Sequence, residues 1–320
     1  MVMQPVASAP SLAAPLADAS PVAPSVPRRR RSSPWRWAGF AVLFVGAAIM
    51  VVPFLDLLLG ALRTPAERLM RPPGYWPATP VWQNFADVFA RYPLALWIFN
   101  SVVVTVAITV LQVATSVTAG YALAKFRFRG RDLLLRFVIV AQLFPFFLFL
   151  IPLVFILRYW PLLGGNDLFG HGGTGLLGTY AALILPFSVS WYGVFLMRQF
   201  LVGVPDDLIE AARMDGAGEL RILWSIVLPI VRPAAATLAL FVFVYHWNEV
   251  AWTLTVTQSA PDLQTAPIGI YMVRGAFDTE AQQSLQQAMI LVTIAPVIAV
   301  FLALQRFYVS AVAGPSRRVG

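Results

Sequence analysis

Residues Trp97–Leu123 read WIFNSVVVTVAITVLQVATSVTAGYAL, and no charged residue interrupts them. An α-helix rises about 1.5 Å per residue, so about 20 such residues cross the roughly 30 Å of bilayer hydrocarbon. A helix buried in a soluble core needs no uncharged run of that length. Working outward, five more apolar segments of similar length follow or precede it: approximately Trp37–Leu62, Leu133–Leu157, Gly178–Leu196, Ile226–Tyr245 and Ala288–Leu304. Over all 320 residues, 59% are hydrophobic and 12% charged, with a mean hydropathy of +0.73. Soluble domains carry about 25% charged residues, so this surface cannot face water all round. The expected fold is an all-α membrane protein with six transmembrane helices.

Pro53, Pro145, Pro152, Pro186, Pro233 and Pro296 fall inside these segments. Neighbouring helices must satisfy the carbonyls that proline leaves free, which predicts kinked helices packed against partners. Residues 1–33 are rich in Ala, Pro and Ser and end in Arg28–Arg31. Too few large apolar residues lie there to fold alone, so a disordered cytoplasmic tail is expected. Residues 34–310 are expected to form the six-helix domain, with a long inner loop at 198–225, and residues 311–320 a short cytoplasmic tail.

The net charge of +8 and a pI near 10.3 invite a nucleic-acid reading. The positions of the charges argue otherwise. With the N-terminus inside, 17 of the 23 Lys and Arg fall on the inner side: Arg28–Arg31, Arg36, Lys125, Arg127, Arg129, Arg131, Arg136, Arg198, Arg213, Arg221, Arg232, Arg306, Arg317 and Arg318. Only Arg63, Arg68, Arg71, Arg91, Arg158 and Arg274 fall outside. This bias places both termini in the cytoplasm. The basic charge faces the anionic inner leaflet, so lipid is the expected partner and nucleic acid is not.

There are no cysteines and two histidines, His171 and His246, far apart in sequence. No metal site and no cofactor are expected. Lys125 is the only lysine and follows no glycine-rich turn, so the chain has no P-loop. No Ser/His, His-Glu-x-x-His or paired-Asp constellation lies in the spans, so no catalytic residue is expected and an intramembrane enzyme is disfavoured. An ion-coupled transporter would need carboxylates in mid-membrane, which these segments nearly lack.

The longest inner loop reads Val204-Pro205-Asp206-Asp207-Leu208-Ile209-Glu210-Ala211-Ala212-Arg213-Met214-Asp215-Gly216-Ala217-Gly218. Pro205 suits a helix start, and Asp207 with Glu210 has the spacing of a capping box. Gly216 and Gly218 suit its end. A surface helix of two to three turns follows, with a second short helix from about Glu219 leading into the fifth span. Such a helix could be a plain interfacial connector. Its small residues, Ala211, Ala212 and Gly216, point instead to close approach by another protein.

The spacing then becomes specific. Glu210-Ala211-Ala212, Gly216, Ile226, Leu228 and Pro229 resemble the EAA signature of ABC importer permeases. Asn100-Ser101, Ala119–Lys125, Phe195–Phe200, Trp247-Asn248-Glu249 and Leu304–Phe307 are similar to the carbohydrate, maltose-type branch. The ending Ser310–Gly320 departs from that branch, so the resemblance carries no tail contact with an ATPase. Over roughly residues 35–310 the resemblance implies a type I ABC importer permease fold in the bacterial inner membrane. It implies that Glu210, Ala211, Ala212, Asp215, Gly216, Ile226, Leu228 and Pro229 couple the chain to a dimer of separate ATPase subunits. It implies a second permease subunit, forming a heterodimer, and an extracytoplasmic solute-binding protein. The outer loop Pro261-Asp262-Leu263-Gln264-Thr265 would meet that binding protein. The solute would be a sugar or sugar-like molecule.

Asp56, His246 and Glu249 are charged or titratable groups at membrane depth. Asp56 also suits a plain interfacial position. Trp247, Asn248, Glu249 and Trp252 combine aromatic faces with hydrogen-bonding groups, which suits a sugar in the translocation pathway. The same cluster also suits an interfacial aromatic belt.

Overall fold

The computed structural model describes residues 34–70, 74–277 and 282–312, so the expected tail 1–33 and residues 313–320 lie outside the described residues. Most of the described residues are helical, with no strand among them. The chain divides into two units at Val51/Val52. In the first, the chain is helical from Pro34 onward, and this helix, α1 (Pro34–Ala61), carries Pro53 inside it.

The second unit holds everything that follows. Helices α2 (Pro65–Leu69) and α3 (Gln83–Arg91) lie between the first two apolar segments. Thr64 and Glu67 form a reciprocal capping box at the start of α2. The Thr64 backbone N–H holds the Glu67 carboxyl below its usual pKa.

The opening stretch is α4 (Leu94–Lys125), one unbroken helix of 32 residues. Its many β-branched residues would weaken a helix in water. In hydrocarbon the backbone has no solvent partner, and the helix is the only local structure that satisfies it. Its buried residues recur every three or four positions: Trp97, Asn100, Ser101, Val104, Ile108, Gln112, Ser116, Gly120 and Tyr121. One stripe therefore faces the rest of the unit, and the polar residues lie within it.

The third apolar segment was expected as one helix. It is two, α5 (Arg131–Ala141) and α6 (Phe147–Arg158). Pro145 clashes with the carbonyl four residues back, and that residue is Ala141, where α5 stops. The fourth segment is also broken: α7 (Tyr180–Ile184), with a 3₁₀ turn to Phe187, then α8 (Trp191–Val202) bent by 44°. Pro186 sits at the break, and Ser190 caps α8 by accepting from the Gly193 N–H at 3.0 Å.

After α9 (Asp206–Met214), α10 (Glu219–Ile222) runs through a π-turn at Leu223–Val227 into α11 (Leu228–Trp247). The chain closes with α12 (Ala251–Val256), α13 (Ala266–Met272) and α14 (Gln283–Val312). Among the described residues four continuous helices are long and apolar enough to cross a membrane, with a fifth where the bent pair of the fourth segment is taken as one span.

Helix α4 packs along α8 and α11, and α11 along α14. Small residues allow the α4–α8 approach: a Cβ on Gly120 would lie 3.0 Å from the Arg198 backbone N, and one on Gly193 2.3 Å from Ser116 Oγ. Lipid tails are as apolar as leucine, so close backbone packing of this kind holds membrane helices together.

Candidate functional site

Helix α9 begins at Pro205, which makes no side-chain cap. The expected Asp207–Glu210 capping box does not form. Asp206 and Asp207 instead sit in the first turn, where the helix dipole favours negative charge. At the other end Gly216 has φ +77°. Its N–H donates to Arg213 O at 3.0 Å, and the Ala217 N–H donates to Ala212 O at 3.0 Å. These two bonds make a Schellman motif, which needs the left-handed residue that glycine supplies. Gly218 does not end α9; it is the extended residue that opens α10.

The helix has two faces. Ile209 and Ala212 are buried in the chain's own core, together with Ile222 and Leu223. Glu210, Ala211, Asp215 and Gly216 are exposed, and Met214 is 84% exposed. Ala212 was expected to meet a partner, but one residue beyond Ala211 turns it about 100° around the helix and into the core. Ile226 and Leu228 also pack on this core, while Pro229 is exposed.

Two polar ties fix the loop to the C-terminal end of α4. Lys125 Nζ donates to Asp206 at 2.6 Å and to Val204 O, and its side chain is only 6% exposed. The Tyr121 hydroxyl donates to Glu219 at 3.0 Å, and Arg213 donates to the same carboxylate at 2.6 Å. The Lys125 hydrogen bond holds the Asp206 carboxyl below its usual pKa. A depressed carboxylate keeps its tie above its unfolded pKa and loses it only as pH falls through the lowered value, so the tie persists at neutral pH. Lys125→Met is expected to lower uptake by about fivefold, the size of a weak ion pair. Lys125→Arg is expected to keep most of it; equal loss in both would remove the tie's role.

At the opposite end of α4, Asn100 is fully buried. Its Nδ2 donates to Asp262 O at 2.7 Å and Gln264 O at 2.9 Å, while the Tyr180 hydroxyl donates to its Oδ1 at 2.5 Å. Ser101 Oγ accepts from the Ala266 N–H at 2.8 Å. The segment Pro261–Thr265 is thus clamped to α4. Pro261 and Asp262 are exposed, Leu263 and Gln264 half-buried, and Thr265 buried.

Between these ends lies a cavity of about 820 Å³ where the third and fourth segments break. Gln142, Pro145, Phe146, Pro186, Phe187 and Tyr192 line it, with Gln112 from α4 and Tyr245 and His246 from α11. Among the described residues no group of acidic, Cys and His side chains could hold a metal.

The profile of the family described as binding-protein-dependent transport system inner membrane component matches residues 116–313, a span that includes α9 and the loop around it. The chain belongs to this family.

The permease is similar to the arabinooligosaccharide transport permease AraQ of Halalkalibacterium halodurans, with 32% identity covering 88% of this chain and 96% of that one. It is similar to the sn-glycerol-3-phosphate transport permease UgpE of Yersinia enterocolitica, with 29% identity over 84% and 92% of the two chains. In fold it matches a chain of a bacterial ABC transporter that imports alginate, with TM-score 0.69 and 23% identity over 88% of this chain and 100% of that one. This is the type I permease fold. Membership of the family makes the chain a multi-pass inner-membrane transport subunit and not an enzyme.

The structure places Glu210, Ala211, Asp215 and Gly216 on one exposed face, whereas the four residues expected along the solute pathway bond within the chain. Trp252 is fully buried, and its indole N–H donates to Ala182 O at 3.0 Å. Glu249 is taken up in capping α12: its carboxylate accepts from the Trp252 and Thr253 N–H groups at 2.8 and 3.0 Å. Trp247 is buried and stacks on Phe243, and Asn248 donates to Val244 O. Their aromatic and polar chemistry serves the chain's own packing. Of the residues singled out from the sequence, His246 lines the cavity. Helix-breaking prolines 145 and 186 were the available signal, because broken helices at membrane depth occur where they are buried or line a cavity.

Proposed function

We propose that this permease is half of an importer's membrane channel, paired with a second, different permease chain. Its exposed α9 face docks on a separate ATPase subunit of an ATPase dimer. A solute-binding protein delivers a sugar or sugar-like solute at the outer face near Pro261–Thr265, and both termini face the cytoplasm. The observation that carries the reading is α9 itself. A helix that keeps Ile209 and Ala212 in the core while holding Glu210, Ala211, Asp215 and Gly216 outward has a free face and a fixed base. A mere connector needs no such base.

The relatives' names speak of sugars and of a glycerol phosphate, which keeps the solute class in that range. The chain has no cysteine, so Ala211→Cys would be its only thiol. A membrane-impermeant maleimide should label it in inside-out vesicles and not in intact cells. Bound ATPase subunit should protect it. Labelling from outside would overturn the topology, and labelling unaffected by the ATPase would overturn the docking face.

A further inference from the structure

A groove of about 500 Å³ runs between α4, α11 and α14, beside the π-turn. Arg232 of α11, Phe307 of α14 and Trp224 of the π-turn line one end of it. Ala236 and Leu304 lie one helical turn further along α11 and α14, where the groove is apolar. Two cations share one ring at the polar end. Arg232 Cζ lies 5.4 Å and Arg306 Cζ 4.8 Å from the Phe307 ring centroid. The ring attracts each guanidinium, but the two like charges repel each other. Both arginines are exposed, and neither meets a carboxylate within ion-pair distance among the described residues. No Asp or Glu lines the groove.

One partner chemistry fits both ends. A phosphate between two guanidinium groups is met by forked pairs of N–H donors and relieves their repulsion. An acyl chain covers the apolar end, where alanine side chains leave room for it. Trp224 suits the level of the headgroups. Free phosphate would use the arginines and leave the apolar end bare. The groove also opens away from the cavity where the helices break. At about 100° per residue, Arg232 and Ala236 lie half a turn around α11 from Phe241 and Tyr245, which line that cavity. A second chain closing the channel across the cavity stands on the other side of α11.

We infer that this groove binds an anionic phospholipid of the inner leaflet. Arg232 and Arg306 hold its phosphate, and one acyl chain lies along Ala235, Ala236 and Leu304. Basic pockets between spans on the cytoplasmic side take anionic headgroups in this way. The choice of leaflet rests on the orientation proposed above. Leu228 and Pro229 also line the groove, so the lipid braces the start of α11 next to the loop that carries α9.

The test uses the whole importer in bilayers of phosphatidylethanolamine with a minor share of phosphatidylglycerol. Native mass spectrometry then counts the lipids that stay bound. Wild type should retain phosphatidylglycerol about tenfold above its share of the bilayer. Arg232→Gln with Arg306→Gln should abolish the enrichment. Arg129→Gln with Arg136→Gln removes the same charge at exposed positions outside the groove and should keep it. Ala236→Trp fills the groove, leaves both arginines and should abolish it. No enrichment in wild type, equal loss in the two arginine pairs, or enrichment that survives Ala236→Trp would each overturn the site. If the Arg232/Arg306 pair fails to assemble, wild type and Ala236→Trp still decide. Ala236→Cys that crosslinks to the second permease chain would make the groove a subunit contact and overturn the lipid. The Ala211→Cys labelling reports orientation separately. Labelling from inside with no enrichment would overturn the site and leave the orientation standing. Labelling from outside with enrichment would overturn the inner leaflet and leave the lipid.

Discussion

Gly216→Val should insert in the membrane at wild-type levels and lose transport. The residue sits at φ +77°, where a side chain costs about 1–2 kcal/mol and a β-branched one more. Valine would pull the Schellman bonds from Arg213 and Ala212 apart and re-aim the end of α9. Among the described residues, none beyond its two chain neighbours lies within 4 Å of a Cβ built there. That open space separates two causes. Asn tolerates the left-handed region, so Gly216→Asn should restore uptake if backbone strain alone matters. If the ATPase packs against this glycine, both variants should lose uptake and co-purify with less ATPase. Full uptake in both would make α9 a connector. Glu210→Lys adds a check, because the helix dipole term of about 0.3–1 kcal/mol is too small to abolish transport. A large loss there would have to come from the docking contact.

Asn100→Leu should uncouple the outer face. It strands the Asp262 and Gln264 carbonyls and the Tyr180 hydroxyl, three groups that one fully buried side chain now satisfies. Each buried unsatisfied group costs about 1–3 kcal/mol, enough to release Pro261–Thr265 from α4. ATPase activity stimulated by the binding protein should fall by about tenfold or more, while the unstimulated rate changes little. Shortening Pro261–Thr265 should give the same phenotype. Stimulation that survives both changes would remove this loop from the binding-protein contact. Because α4 is unbroken, it links this clamp at its N-terminal end to the Lys125 and Tyr121 ties at its C-terminal end, so both predictions probe the two ends of one continuous helix.

The sequence by itself determined the elements whose cause is local or compositional. Uncharged runs of bilayer length demand helices, because hydrocarbon offers the backbone no other partner. Asp206–Met214 is helical and Gly216 ends it, since a short local stretch holds both the dipole-matched acids at its start and the glycine at its end. The EAA spacing carried the family. Tertiary structure alone decided which side each residue faces. Ala211 and Ala212 are the same residue type in one helix, yet one is open and the other buried, because only the packing of Ile209, Ile222 and Leu223 says where the core lies. Asn100 and Gln264 are distant in sequence but bonded, and Gln112, Phe187 and His246 meet from three segments. No local pattern encodes such a meeting. It exists because α4, a broken fourth segment and α11 pack side by side, and the prolines that break the helices also open the cavity between them.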